Sequence, residues 1–259
     1  MAGRTHDEAP ALFHLLIDAL VFWLRRQGLF WMLALPIAGL AAGITYVVET
    51  NLQFIDYRRH WAWDLLFALA YAMFLDRWIK EALLDGATDC EEVDALRRSI
   101  ISWRYPAFAA LLFALAAALA QVPLLPIAVL PWLPELIVWS GTAMLFVLML
   151  PALSAGEPAP LRGVWTLGRP VWAILFSLVC GAALLSLLAG TAVNTGLQLW
   201  AAKSWVPAAL AGAARLFDCL LLAFVGHALA AIYCRLTGWQ QPAPADHTYR
   251  NVGIRARRA

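Results

Sequence analysis

Four stretches of this chain run without a single Asp, Glu, Lys or Arg: Gln27–Val48, Tyr105–Pro134, Leu136–Gly156 and Pro170–Ala202. A bilayer core is about 30 Å thick and takes roughly 20 helical residues to cross. Each stretch is long enough, so the chain is expected to live in a membrane. Composition agrees: hydrophobic residues make up 63% and charged residues 14%, where a soluble domain carries about a quarter charged. The net charge of +2 is too small to argue for a nucleic-acid partner. Cys90, Cys180, Cys219 and Cys234 form no close-spaced pair, and they read as small buried apolar side chains rather than disulfides or metal ligands. Met1–Pro10 carries Arg4, Asp7 and Glu8, and the first uncharged run is too long for the core of a signal peptide.

Two further spans are interrupted by charge. Trp61–Lys80 has an apolar centre, Leu65–Leu75, between Asp64 and Asp76, and Arg215–Arg235 encloses the uncharged Cys219–Cys234. Pro123, Pro126, Pro131 and Pro134 divide the long central region, because proline lacks an amide donor and disfavours helix before it. The expectation is an all-α polytopic membrane protein with six transmembrane helices as three hairpins. The spans fall near 29–48, 62–80, 105–124, 135–154, 171–191 and 215–235 of one membrane domain (1–239), followed by a flexible basic tail (240–259).

Charge orients these spans. With the N-terminus inside, 15 of the 19 lysines and arginines fall on the inner side, and only Arg58, Arg59, Lys203 and Arg215 on the outer. This obeys the positive-inside rule and puts both termini in the cytoplasm. The 13 tryptophans all sit close to span ends, as interfacial belts require. Trp78 is among those assigned to the inner belt.

The spans also suggest one unit used three times: a cytoplasmic helix or turn, an arginine, then a span. The junctions are Trp23-Leu24-Arg25-Arg26, Ser102-Trp103-Arg104-Tyr105-Pro106 and Thr166-Leu167-Gly168-Arg169-Pro170. Ala11–Arg26 keeps His14, Asp18 and Arg25 on one narrow stripe, as suits an amphipathic helix lying in the interface. Asp89–Trp103 repeats Val93, Leu96, Ile100 and Trp103 at helical spacing, and Thr88 with Glu91 can form a capping box. Pro160–Leu167 is a shorter third copy. Small residues recur in the first span of each unit: Gly39 and Gly43; Ala110, Ala114 and Ala118; Ala182, Ser186 and Gly190. Such strips let helices approach closely in lipid, so these three are expected to face other helices.

Leu150-Pro151-Ala152 through Leu167-Gly168-Arg169-Pro170-Val171-Trp172, and the closing Ala231-Ile232-Tyr233-Cys234-Arg235-Leu236-Thr237-Gly238, form a pattern of apolar span, short loop, amphipathic turn and arginine. It resembles the YciC-like six-helix bacterial inner-membrane proteins, related to the membrane domain of glycerophosphodiester phosphodiesterases. The resemblance implies a fold and a bacterial inner-membrane location, and it brings no catalytic motif.

Enzyme signatures come near and fail. Glu91-Glu92-Val93-Asp94-Ala95-Leu96-Arg97 approaches the paired glutamates and arginine of intramembrane CAAX proteases with a spacing one residue too long and no matching span histidines. Asp85-Gly86-Ala87-Thr88-Asp89 begins a CDP-alcohol phosphotransferase motif without the later carboxylates. No HExxH, GxSxG or Walker sequence occurs. No catalytic, cofactor or metal site is therefore expected.

The intramembrane polar residues are Asp64, Arg215, Asp218 and His227. Charges are costly at the bilayer centre, so Asp64 and Asp218 are read as lying near the outer headgroups, with Arg215 as a structural partner. Asp76 is read as snorkelling towards the inner surface, and His227 as hydrogen-bonded between helices. Arg250, Arg255, Arg257 and Arg258 could contact anionic lipids. The function expected is an accessory, scaffolding or assembly role for another membrane component. The alternative is a small-solute or lipid transporter, or a subunit of one, disfavoured by the lack of visible broken helices and midplane polar clusters.

Overall fold

The computed structural model describes residues 12–50, 60–87, 91–99, 105, 107, 133–157, 161–200 and 205–241. Nearly all of span three, its alanine strip, most of the Pro123–Pro134 turn, the Thr88 cap and most of the tail lie outside these residues, as does the Asp64 side chain.

The described residues are helical, with no strand. In chain order the helices are α1 (Leu12–Arg25), α2 (Gln27–Thr50), α3 (His60–Leu83), α4 (Glu91–Arg98), α5 (Leu133–Phe146), α6 (Met149–Ser154), α7 (Leu161–Gly168), α8 (Trp172–Trp200) and α9 (Trp205–Thr237). Four stretches are long and apolar enough to cross a membrane: Gln27–Val47, Leu136–Ser154, Arg162–Val193 and Trp205–Thr237. The chain is thus built as a helical membrane protein. α3 is helical over 24 residues but is not among the four, because Asp76, Arg77, Lys80 and Glu81 crowd its last two turns.

The fourth expected span is not one continuous helix. At Val147–Leu148 the hydrogen-bond ladder changes to a turn: Leu150 N bonds Val147 O at 3.1 Å, while Leu148 keeps α-region dihedrals (φ −69°, ψ −9°). Pro151 is the cause: it has no amide to offer Val147 O, and its ring crowds that carbonyl. The expectation of unbroken spans is corrected here.

α9 is the centre of the bundle. It packs on α1, α2, α3, α6 and α8. Two glycines permit this. A Cβ at Gly212 would sit 3.2 Å from Ala38 O and 3.4 Å from Ala42 Cβ; one at Gly226 would sit 2.8 Å from Leu75 Cδ1 and 3.4 Å from Trp78 Cδ1. Gly39 and Gly43, by contrast, are exposed, and among the described residues an added Cβ would meet nothing within 4 Å. The expected inward strip of α2 is therefore wrong. The helix buries Ala34, Ala38 and Ala41 instead, and small residues on two faces made the choice ambiguous.

Phe67, Tyr71, Phe74 and Trp78 recur at i, i+4, i+7 and i+11 along α3, which places them on one helical face. This face joins Phe22, Phe30, Ala34, Cys219 and Ala223 in an apolar cluster. Phe74 stacks parallel to Trp78 with centroids 6.0 Å apart, and Phe30 meets both edge-on. Trp78 is fully buried and donates from Nε1 to Ala223 O at 2.8 Å. It belongs to the core and not to an interfacial belt, because α9 covers it through Gly226.

Candidate functional site

Two polar assemblies lie inside the bundle, both built on α3. The first surrounds Asp218. Tyr71 Oη donates to Asp218 Oδ2 at 3.0 Å, Ser186 Oγ donates to Oδ1 at 2.6 Å, and Arg215 Nη1 donates to Oδ2 at 3.1 Å. Arg215 also approaches Tyr71 Oη at 3.4 Å and lies over the Phe67 ring, 4.7 Å from its centroid. Three helices, α3, α8 and α9, converge on one carboxylate.

Asp218 faces Tyr71, which stands within the uncharged Leu65–Leu75 of α3. Tyr71 precedes Lys80 by nine residues, about 14 Å of helix and close to half a bilayer core. α9 has 33 residues, roughly 50 Å of helix. Arg215 finds its carboxylate three residues along its own helix. The tie between helices comes from Tyr71 and Ser186. Of these, Ser186 belongs to an expected small-residue strip; it meets α9, whereas among the described residues a Cβ added at Gly190 would meet nothing within 4 Å.

The second assembly ends α3. Lys80 Nζ sits 2.8 Å from Asp76 Oδ2 and 3.1 Å from Ser99 O, and Ser154 Oγ donates to Asp76 Oδ1 at 2.8 Å. Glu81 takes Arg77 and Arg97, each at 3.2 Å, and Arg77 also donates to the Arg97 carbonyl. Asp76, Lys80 and Glu81 are buried, so Asp76 does not snorkel. Its partner is one turn away and another hydroxyl arrives from α6. The last carbonyls of α4 lack intrahelical partners, and the cations of α3 supply them. The spacings Asp76–Lys80 and Arg77–Glu81 are i, i+4 pairs, a signal visible in the sequence. The contributions of Ser154 and Ser99 were not.

His227 sits at the junction of α1, α3 and α9. Its ring stacks on Phe22 at 4.7 Å, and its buried Nδ1 has no hydrogen-bond partner among the described residues. The described contact of the ring with α1 is thus an aromatic stack. Among the described residues no group of three or more His, Cys, Asp or Glu could hold a metal ion.

Both oxygens of Asp218 are engaged, so its chemistry here is to join helices. Arg215→Met should strand the Asp218 charge, and Asp218→Leu should strand the guanidinium. The double variant should lose less than the sum, with an interaction energy of about 1–3 kcal/mol. Unfolding in detergent reads this cycle, and additive losses would exclude the pair as a stabilising unit.

Comparison with known proteins adds no identity: no protein-family model, no curated protein and no solved structure matches the chain.

Proposed function

We propose that this chain is a non-enzymatic integral membrane protein that scaffolds or assists the assembly of another membrane component. In this reading it has six spans in three hairpins, lies in the bacterial inner membrane with both termini cytoplasmic, and is a YciC-like protein. α1, α4 and α7 are its interfacial amphipathic helices, one before each hairpin. The observation that carries the proposal is that the buried and half-buried charges are spent on contacts between segments: Asp76 with Ser154, Lys80 with Ser99, Glu81 with Arg97, Asp218 with Tyr71 and Ser186.

A transporter is the second reading. The turn at Val147–Leu148 and the Asp218 cluster facing the apolar length of α3 favour it, since transport sites use irregular helices and polar groups within the bilayer. Purified protein reconstituted in liposomes separates the readings. A scaffold should carry no solute flux and should isolate from its native membrane with a stoichiometric membrane partner. A flux abolished by Asp218→Asn would overturn the scaffold in favour of the transporter.

Topology is tested separately. Cysteines replacing Asn51 and Lys203 should label from outside, and one replacing Glu157 should not. Outside access to position 157 would reverse or break the six-span arrangement.

A further inference from the structure

α1 carries three distinct faces. Leu15, Ala19 and Phe22 are buried, with Phe22 edge-on to Trp78 at 5.3 Å and stacked on His227. His14, Asp18 and Arg25 form an exposed polar stripe. Phe13, Leu16, Ile17, Leu20 and Leu24 are also exposed, Phe13 by 68% and Leu24 by 52%. At about 100° per residue, the centre of this apolar arc is roughly 125° from the polar stripe and roughly 150° from the docked face. Water suits the stripe; it does not suit five large apolar side chains on one arc.

The occupant of the arc is identified by what adjoins it. Arg26 N bonds both Phe22 O and Trp23 O, and Phe30 N bonds Arg26 O, so α1 passes into α2 through a single-residue joint. The first turns of α2 continue the exposed apolar surface with Trp31, Met32 and Leu35. That surface belongs to a helix able to cross a membrane. We propose that α1 lies sideways within one leaflet, its Phe13–Leu24 arc seated among lipid acyl chains and its His14–Arg25 stripe turned to the aqueous boundary. α4 differs: it is tied to α3 by Arg97, Ser99 and their ionic partners. The bilayer therefore meets the first interfacial helix directly, and through Phe22 it bears on the central helix α9.

The inference rests on the membrane reading of the chain and is tested with a control for it. Single cysteines at His14, Ile17, Asp18, Ala19, Leu20 and Met32, in a chain whose native cysteines are replaced by alanine, would carry nitroxide labels. The protein would be reconstituted in phosphatidylethanolamine–phosphatidylglycerol vesicles. Oxygen concentrates in acyl chains and a nickel chelate in water, so relaxation by each reports the surroundings. Positions 17, 20 and 32 should favour oxygen several-fold, 14 and 18 should favour nickel, and 19 should meet neither. If 17 and 20 favour nickel or are shielded like 19 while 32 favours oxygen, the arc faces water or protein and the proposal fails alone. Nickel access at 32 would overturn the membrane reading with it. Should the cysteine-free chain not fold, a photoreactive residue at 17 and 20 of the native chain gives the same decision: lipid adducts support the proposal, protein adducts or none defeat it.

Discussion

Lys80→Met should destabilise the bundle by about 3–5 kcal/mol, the usual cost of leaving a buried charge without its partner. The Lys80 and Asp76 side chains are only 4% and 5% exposed, so water cannot replace the ammonium. Loss of Lys80 also leaves Ser99 O without its donor, which should loosen the end of α4. Lys80→Met combined with Asp76→Leu should recover much of the loss, because a packed apolar pair of similar volume is often as stable as a buried ion pair. Unfolding in mixed micelles, followed by tryptophan fluorescence, measures all three variants. A double variant as unstable as the sum of the singles would mean the two groups act independently.

Gly226→Leu is the second large effect expected. The first carbon alone would fall 2.8 Å from Leu75 Cδ1. Leu75 can turn aside for one methyl, but a full leucine must also displace Ile79 and Trp78. Forcing such bulk into a packed site costs about 3 kcal/mol. It should also break the Trp78-to-Ala223 hydrogen bond, seen as a shift in tryptophan emission. Gly43→Leu is the matched control, with no atom near its added Cβ and an expected change within about 0.5 kcal/mol. Equal loss in both variants would mean α2 presents a different face to the bundle.

Much of the architecture was written in uncharged length. Long apolar runs with polar punctuation locate α2, α8 and α9, and the stripe of His14, Asp18 and Arg25 locates α1, because these signals depend on local periodicity. The site was less legible because it depends on register. No spacing rule says that Tyr71 meets Asp218, or that Ser154 reaches back to Asp76. Those pairs are separated by 147 and 78 residues. Charge bookkeeping along one helix suggested a snorkelling position for Asp76, and packing against Lys80 and Ser154 reversed it. Pro151 was visible, but it was counted as part of a span; its effect on Val147 four residues earlier follows directly from backbone sterics.

The position of α9 has a consequence for how the molecule is made. The helix that fills the core is delivered by the ribosome after every other described helix it packs on. Synthesis at about 5–20 residues per second leaves the seat for Gly212 on α2 and the seat for Gly226 on α3 empty for many seconds after both helices have emerged. During that interval Trp78 has no Ala223 carbonyl to bond, and the Tyr71 hydroxyl has no carboxylate. A nascent chain stalled before residue 205 is thus a set of inserted but unsealed helices, the form that membrane quality-control proteases cut. Completion of α9 closes both seats at once, so protease resistance should arrive as a single late step rather than hairpin by hairpin.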